Sequence, residues 1–217
     1  MSASEAKLNT ELHAEPGVEG LHLLGVVRAQ EGEQLPAGSA GDFLLVPHQE
    51  IAAFTRPGPF AVPEMTKEEV MLHQRELDQA MQRWTVAPAP FGIVFRDRAS
   101  VLQFLEEQYQ PLCEALTLVE GRWEFRLHIR DEEHRGDPTV ARDVATHVYA
   151  ELRRITHAAV PFPSEGGNLF SAAFLVERAV TSRFLERVEE LSEMDRALSL
   201  DLTGPWPPYD FVRISVG

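Results

Sequence analysis

The run Trp123-Glu124-Phe125-Arg126-Leu127-His128-Ile129-Arg130 alternates strictly between apolar and polar residues. Side chains of a β-strand point alternately to the two faces of its sheet, so a period of two predicts a strand with one buried face. The polar residues of this run are then expected on a face that meets water. A sheet covered on one side only is typical of antiparallel sheets, and this strand predicts such a sheet.

The elements that follow this strand complete the pattern. A helix is predicted over residues 138–156, and its buried stripe is expected to contain Val140, Val144, Val148, Leu152 and Ile155. Strands are predicted at 158–162 and 169–176, joined by a hairpin loop at 164–168, before a helix at 180–194 and a last strand at 197–203. The order βαββαβ is that of a ferredoxin-like unit, with two helices on one face of an antiparallel sheet.

The preceding residues predict a second, smaller domain with mixed elements. Buried strands are predicted at 21–28 and 42–47, and the proline-rich stretch 55–63 predicts an irregular connection. Thr66 and Glu69 form a capping box, so a helix is expected to begin there with Val70, His73, Leu77, Met81 and Trp84 on one face. Another strand is predicted at 91–95. A helix that begins at Ser100 is expected to break near Pro111, which lacks a backbone N–H.

We therefore predict an α+β protein with two domains. A flexible tail covers residues 1–20, a small N-terminal α/β domain covers residues 21–120, and a C-terminal ferredoxin-like domain covers residues 121–217. The boundary is placed near Gly121, where a helix is expected to end. A proline-rich closing segment at 203–212 follows the last strand.

Composition excludes several classes of protein. The 217 residues include 20 basic and 34 acidic side chains, for a net charge of −14, which repels nucleic acid and anionic lipid. No apolar run approaches the roughly 20 residues that span a bilayer, and the first 20 residues do not resemble a secretory signal. The single cysteine, Cys113, cannot form an internal disulfide, which indicates a reducing cytoplasm.

No pattern in the chain predicts catalysis or a cofactor. Nucleotide-binding loops and the nucleophile elbow of hydrolases do not occur in the sequence, and one cysteine cannot hold an iron–sulfur cluster. We expect His73 to be a packed histidine bonded to a backbone carbonyl, and Cys113 to be a buried inert thiol. His128, His134 and the acids 131–133 between them favour a salt-bridged turn over a metal site.

The segment from Leu202 to Val212 carries the most distinctive residues of the chain. Its prolines are expected to end the sheet ladder, while Trp206 and Tyr209 either seal a core edge or present aromatic rings to a partner. Gly204-Pro205-Trp206-Pro207-Pro208-Tyr209 closely resembles the C-terminal signature of the gas vesicle GvpF/GvpL family. Phe91-Gly92, in an extended segment after a histidine-bearing helix, is similar to a second family motif.

Residues 168–176 also resemble a late strand of this family, so the resemblance extends over most of the chain. Two features depart from the family pattern: Pro90 stands where arginine is usual, and the first strand is not rich in tyrosine. The resemblance implies a non-enzymatic accessory or minor structural protein of gas vesicle assembly, in the cytoplasm and at the vesicle. Its implied partners are the hydrophobic GvpA-like shell protein and other gas vesicle accessory proteins.

Two other hypotheses remain open at this stage. The chain could be a repurposed interaction module of the same family with no gas vesicle role, to which the change at Pro90 gives some weight. Alternatively, it could be an enzyme that uses His73 or the region from His128 to His134. That hypothesis predicts a concave pocket where titratable groups converge.

Overall fold

The computed structural model describes residues 18–28, 43–131, 138–163, 167–194 and 198–215. Most of the predicted tail over residues 1–20, the predicted turn at 132–134 with His134, and residues 164–166 of the predicted hairpin loop therefore lie outside the described residues. The elements, in chain order, are β1 (Glu19–Arg28), β2 (Leu44–His48), β3 (Ile51–Pro59), α1 (Lys67–Met81), β4 (Val86–Pro88), β5 (Val94–Phe95), α2 (Arg98–Glu107), α3 (Tyr109–Val119), β6 (Arg122–Asp131), α4 (Pro138–Arg154), β7 (Ala158–Phe162), β8 (Phe170–Glu177), α5 (Thr181–Met194) and β9 (Leu198–Trp206).

Contacts along the chain divide these elements into two units. The first unit takes its described residues from Met1–Trp84, Ala89–Cys113 and Ile214–Gly217. The second takes them from Thr85–Pro88 and Glu114–Arg213. Two sheets with helices confirm the predicted α+β class, whereas the domain limits at residues 120 and 121 stay a prediction.

In the first unit, β1 pairs antiparallel with β3, β3 pairs antiparallel with β2, and β5 pairs with β1. The prediction of an irregular connection at 55–63 is wrong, because β3 continues as a strand through Pro59. Pairing between β2 and β3 ends at Thr55, so beyond that point β2 no longer lies beside β3. Prolines are tolerated at such an unpaired strand edge, which explains Pro57 and Pro59.

Helix α1 begins as predicted, since Thr66 Oγ1 accepts a hydrogen bond from the Glu69 backbone N–H at 3.2 Å. His73, Leu77 and Met81 are buried on its inner face, but Val70 is 39% exposed and does not belong to the buried stripe. The following helical region is interrupted at Gln108, between α2 and α3, close to the break predicted near Pro111.

The second unit contains one four-stranded antiparallel sheet in the order β7-β8-β6-β9. Helices α4 and α5 pack on the same side of it, over a core that includes Phe125, Leu127, Ile129, Phe174, Val176, Val148, Leu152, Phe184, Val188 and Leu191. We call this side the helix-covered face. The predicted alternation of β6 places Phe125, Leu127 and Ile129 there, as expected. Val140, which the pattern placed on the buried stripe of α4, is 60% exposed in its first turn.

Strand β9 is longer than the sequence predicts. The prolines do not end the ladder at residue 203, because β9 continues through Trp206, which pairs with Glu124. The register shifts between Arg126↔Thr203 and Glu124↔Trp206, so Gly204 and Pro205 form an irregularity in the strand. An irregularity of this kind accommodates proline within an edge strand, and the ladder resumes beyond it.

Candidate functional site

The side of the second sheet opposite α4 and α5 carries polar side chains, and we call it the polar face. Glu124, Arg126, His128 and Arg130 extend from alternate positions of β6, and Ser171 lies directly across from His128 on β8. The sequence predicts these side chains in water. Glu124 contradicts that prediction, since it is 0% exposed. A buried carboxylic acid needs hydrogen-bond partners, and the arrangement around Glu124 supplies them.

Glu124, Arg126 and Asp210 form a compact cluster, which we call the Glu–Arg–Asp cluster. Arg126 Nε lies 2.8 Å from Glu124 Oε1 and 2.8 Å from Asp210 Oδ2. The Asp210 backbone N–H donates to Glu124 Oε2 at 2.8 Å. Both oxygens of the buried carboxyl group therefore have partners, and those partners lie 2 and 86 residues away in the chain. The cluster fastens the closing segment to the middle of the sheet.

The cluster has unusual proton-binding properties. Burial raises the pKa of Glu124 to about 8, and a hydrogen bond with the side chain of Asp210 and the charge of that residue act in the same direction. The Asp210 backbone N–H and the charge of Arg126 oppose the increase. At neutral pH, Glu124 is therefore mostly protonated. Burial acts to lower the pKa of Arg126, but the two neighbouring carboxyl groups outweigh it and raise that pKa.

The closing segment reaches this cluster through local backbone geometry. Gly204 has φ +128°, a conformation that favours glycine, and a Cβ at this position would lie 2.9 Å from the Glu124 carbonyl oxygen. Pro207 and Pro208 are buried, and a short 3-10 helix at Tyr209–Phe211 follows them. This turn aims the backbone N–H and carboxylate of Asp210 at the cluster.

A chain of side-chain hydrogen bonds continues across the polar face. Arg130 Nε donates to Asn168 Oδ1 at 2.8 Å, and Asn168 Nδ2 donates to Ser171 Oγ at 3.2 Å. Ser171 Oγ lies 2.9 Å from His128 Nδ1. Because Arg130 can only donate, it fixes which atom of the Asn168 amide is the oxygen. The amide nitrogen is thus turned toward Ser171 and His128.

A cleft of about 480 Å³ opens on the polar face. Its lining consists of Arg126, His128, Phe162, Pro163, Asn168, Ser171 and Asp210. All of these residues belong to the second unit. The cleft combines one guanidinium group, one imidazole and an apolar wall, which is typical of sites that bind small groups.

This geometry can bind and orient a ligand, but it does not favour nucleophilic catalysis. Among the lining residues that the structure describes, Ser171 is the one hydroxyl nucleophile, and it is only 3% exposed. Its oxygen is held between Asn168 and His128. The Nε group of Arg126 already donates hydrogen bonds to two carboxyl groups. The cleft does meet the pocket criterion of the enzyme hypothesis, but the Ser171 hydroxyl is almost fully buried and is hydrogen-bonded to its neighbours.

The structure separates the predicted motif residues into different environments. Pro205 is exposed, Trp206 and Tyr209 are half-buried, and Pro207 and Pro208 are buried. Trp206 Nε1 donates to Thr203 Oγ1 at 3.0 Å, within the same strand. The motif thus combines buried prolines with aromatic rings that remain accessible.

Phe91 and Gly92, the other predicted motif residues, belong to the first unit. The Phe91 ring meets the His73 ring edge-on at 5.6 Å. His73 is buried and its Nε2 lies 3.2 Å from the Ala89 carbonyl oxygen, which confirms the expected packed histidine. Burial lowers the pKa of His73. Gly92 has φ +97° and lies beside Val62.

Cys113 is half-buried rather than fully buried, and its Sγ lies 3.7 Å from Glu50 Oε1. Burial raises the pKa of the thiol, so it is not an activated thiolate. Within the described ranges, no three His, Cys, Asp or Glu side chains are placed to hold a metal ion. None of the helices described is long and apolar enough to cross a membrane.

Sequence reasoning missed Glu124, Arg126, Asn168, Ser171 and Asp210 as site residues. Asp210 offered a signal, because it lies inside the distinctive closing segment. Glu124 offered none, since an acid between two aromatic residues of a strand is normally solvated. Glu124 is nevertheless buried, because Asp210, 86 residues later in the chain, covers it.

Comparisons with known proteins agree with this fold. The family model described as "Gas vesicle synthesis protein GvpL/GvpF" matches residues 20–140 and 138–213. Gas vesicle protein F1 of Halobacterium salinarum is 25% identical over 211 residues, which cover 92% of this chain and 95% of the relative. Gas vesicle protein F of Haloferax mediterranei is 26% identical over 214 residues, covering 92% of this chain and 96% of the relative.

Two solved structures share the fold. The crystal structure of GvpF from Anabaena has a TM-score of 0.78 at 19% sequence identity and covers 91% of this chain and 98% of its own. That of GvpF from Microcystis aeruginosa has a TM-score of 0.76 at 14% identity and covers 90% and 99%. Because the family model matches nearly the whole chain, this protein belongs to the gas vesicle synthesis protein GvpL/GvpF family.

Proposed function

We propose that this protein is a non-enzymatic accessory protein of gas vesicle assembly that acts at the vesicle and covers the hydrophobic shell protein before insertion. Membership of the GvpL/GvpF family, over residues 20–213, is the observation that carries the proposal. A shell subunit with an apolar face would aggregate in water unless another protein covered that face. The expected partner is a GvpA-like shell protein, together with other gas vesicle accessory proteins.

The exposed apolar side chains of the first unit support a docking surface for this partner. Val62, Met65, Val70 and Met71 lie within ten residues of one another and are 54%, 80%, 39% and 47% exposed. We call them the apolar patch. They account for four of the eight large apolar side chains that the described residues expose. These side chains are close in sequence, and we propose that they form one exposed apolar surface, a feature typical of protein interaction sites.

Gly92, which belongs to the Phe91-Gly92 motif, lies beside Val62 of the apolar patch. Glu64, Lys67 and Glu68 are exposed within the same stretch of chain, where acidic residues outnumber basic ones. These acids favour a partner segment whose apolar face is bordered by basic side chains. Docking of such a segment is the mode of binding that we propose.

Addition of a partner strand is less favourable at the sheet edges formed by β2, β7 and β9. Pro47 in β2, Pro161 in β7 and Pro205 in β9 each remove one backbone donor from a strand at the end of a sheet. Proline in an edge strand opposes pairing with another chain. This distribution supports docking through side chains rather than through a shared ladder.

Three finer features belong to the same proposal. The second unit is proposed to be a ferredoxin-like domain, supported by its βαββαβ order and antiparallel sheet. The domain boundary is proposed near Gly121, whose φ is +68°. Gly204 to Tyr209 are proposed as a secondary contact, in which Trp206 and Tyr209 present their half-buried rings to a gas vesicle protein.

Co-purification of the full chain with the cognate shell protein tests the function. The wild-type protein is expected to retain the shell protein, and a Met65→Glu, Met71→Glu variant is expected to lose it. Met194→Glu is the matched control, because Met194 is 73% exposed on α5, outside the apolar patch. Deletion of the gene is expected to abolish or reduce vesicles.

Normal vesicles in the deletion strain, together with no retention of the shell protein, would reject the proposal in favour of a repurposed interaction module. Equal retention by the wild-type chain and the double variant would reject the apolar patch. Circular dichroism of each variant distinguishes lost binding from lost folding.

A further inference from the structure

We infer that the cleft on the polar face of the second sheet binds a carboxylate group that is carried beside an apolar side chain. The inference rests on the side chains of the second unit and is independent of the apolar patch and of the shell protein. Three features support it: a guanidinium edge that has no partner among the described residues, a histidine fixed as a donor, and an apolar wall next to both.

Arg126 presents a free edge to the cleft. Its Nε is fully engaged, at 2.8 Å from both Glu124 Oε1 and Asp210 Oδ2. The terminal Nη1 and Nη2 groups have no protein partner among the described residues, and the side chain is 36% exposed. The two Nη groups form a planar fork that matches a carboxylate. The cluster holds this fork in place.

His128 supplies a second donor with a defined tautomer. Asn168 Nδ2, which can only donate, lies 3.3 Å from His128 Nδ1 and 3.2 Å from Ser171 Oγ. Ser171 Oγ, 2.9 Å from Nδ1, then directs its hydrogen to the ring. Nδ1 is therefore an acceptor, so the proton of the neutral ring is on Nε2. Nε2 has no partner among the residues described and is free to donate to a ligand.

The size and lining of the cleft indicate what the carboxylate is attached to. Phe162 and Pro163 form an apolar wall beside the donors. A volume of about 480 Å³ is large enough for one or two amino-acid residues. A polypeptide C-terminus with an apolar last residue, or a small apolar acid, has the matching chemistry.

The local charge permits an anion although the whole protein carries −14. Arg126 faces Asp210 and Glu124, while Arg130 lies 3.9 Å from Asp201 on β9. Because burial raises the pKa of Glu124 to about 8, this carboxyl group adds little negative charge beside Arg126 at neutral pH. Ionisation of Glu124 adds one negative charge next to the Arg126 fork. Carboxylate binding is therefore expected to weaken as the pH rises through about 8.

Chemical-shift titration of the ¹⁵N-labelled full chain tests the inference, with N-acetyl-leucine as the probe and N-acetyl-leucinamide as its uncharged match. N-acetyl-leucine is expected to shift signals of cleft residues with a dissociation constant on the order of 1–10 mM, typical of so small a ligand. The amide is expected to bind at least about tenfold more weakly, because it lacks the charge that pairs with Arg126.

Two variants locate the binding. His128→Leu is expected to weaken it by roughly tenfold or more, because one hydrogen bond to a charged group is lost. His147→Leu, at an exposed position on α4 across the sheet, is expected to leave it unchanged. The affinity of the wild-type protein is expected to fall by about threefold or more between pH 7 and pH 9, in line with Coulomb energies near a protein surface.

Several results would overturn the inference. These are equal binding of the amide, equal binding of inorganic phosphate, shifts confined to residues outside the cleft, or no shift at about 50 mM probe, well above the expected constant. The peptide acetyl-Ala-Ala-Leu separates the two sources. Tighter binding than N-acetyl-leucine supports a polypeptide C-terminus, and equal binding supports a free acid.

Discussion

The two faces of the second sheet are built from the same strands but are stabilised by different interactions. On the helix-covered face, Phe125, Leu127 and Ile129 pack under α4 and α5 in an apolar core. On the polar face, the neighbouring positions Glu124, Arg126 and His128 form specific hydrogen bonds. Burial is complete at the centre of both, since Phe174 and Glu124 are each 0% exposed. The faces differ in what the buried atoms require.

An apolar core needs volume and shape, whereas a buried carboxyl group needs particular partners. The helix-covered face can therefore be formed by any suitable apolar residues at the right period. The polar face depends on Asp210 and on the turn at Gly204 that brings it back. Substitutions on the helix-covered face should lower stability because packing is lost. Substitutions on the polar face should change stability because hydrogen-bond geometry or the protonation of Glu124 changes.

The largest effect is expected on the helix-covered face. Phe174→Ala removes a ring that is 0% exposed and lies 5.7 Å from the Phe184 ring and 5.9 Å from the Tyr149 ring. The resulting cavity should lower the free energy of unfolding by about 3–5 kcal/mol, measured by chemical denaturation. Leu185→Ala, at a site 42% exposed on α5, is the control and should change it by less than about 0.5 kcal/mol.

A smaller effect on the free energy of unfolding is expected at Gly204, in the turn that brings Asp210 to the polar face. Gly204→Ala places a Cβ 2.9 Å from the Glu124 carbonyl oxygen and 3.0 Å from Phe125 Cδ1, at φ +128°. Overlap and backbone strain together should cost about 2–3 kcal/mol in the same denaturation experiment. Gly121→Ala is the matched control, because its φ is +68° but no atom lies within 4 Å. It should cost about 1 kcal/mol. Equal costs would mean that close approach to Glu124 is unimportant.

The helix-covered face could be predicted from the sequence almost completely. The period of two in β6 and the period of about 3.6 in α5 place Phe125, Phe184 and Val188 in the core without further information. Local periodicity was sufficient because apolar burial needs no particular partner. Errors occurred at element ends: Val140 lies in the first turn of α4, where the helix has not yet reached the sheet.

The polar face could not be predicted from local patterns. Glu124 obeys the alternation, yet it is buried, because a segment 86 residues later covers it. Trp206 and Tyr209 are the distinctive residues of the closing segment in the sequence, whereas Asp210 makes the contact with Glu124. Prolines were expected to end β9, but an irregularity at Gly204 and Pro205 lets the ladder resume at Trp206. Such long-range pairings leave no periodic signal.

The pH dependence of stability is a third property that should distinguish the polar face from the helix-covered face, because only the polar face contains the buried Glu124. The pKa of Glu124 is raised from 4.5 to about 8 on folding, so its contribution to stability is fully present below pH 4.5. This contribution declines as the pH rises and is lost above about 8. Glu124→Gln replaces the protonated acid with a neutral amide and should remove this dependence.

Between pH 6 and pH 9, the free energy of unfolding of the wild type should therefore fall relative to that of Glu124→Gln by about 2–3 kcal/mol. Denaturation at each pH gives the difference directly. Glu189→Gln, an exposed position on α5, should show no such change. A constant difference for Glu124→Gln would show that Glu124 is ionised throughout this range.

The smallest effect on stability is expected at Trp206, the last residue of β9. This residue lies beside the turn that carries Asp210 to the polar face, but it is only half-buried. Trp206→Phe keeps an aromatic ring and removes the hydrogen bond from Nε1 to Thr203 Oγ1. Because Thr203 can then bond to water, the free energy of unfolding should fall by only about 1 kcal/mol. Thr203→Val removes the same bond from the other side and should cost a similar amount. A much larger loss for Trp206→Phe would mean that the indole ring is needed to hold β9 together. A small loss of stability combined with weaker retention of the shell protein would instead assign the ring to the proposed secondary contact.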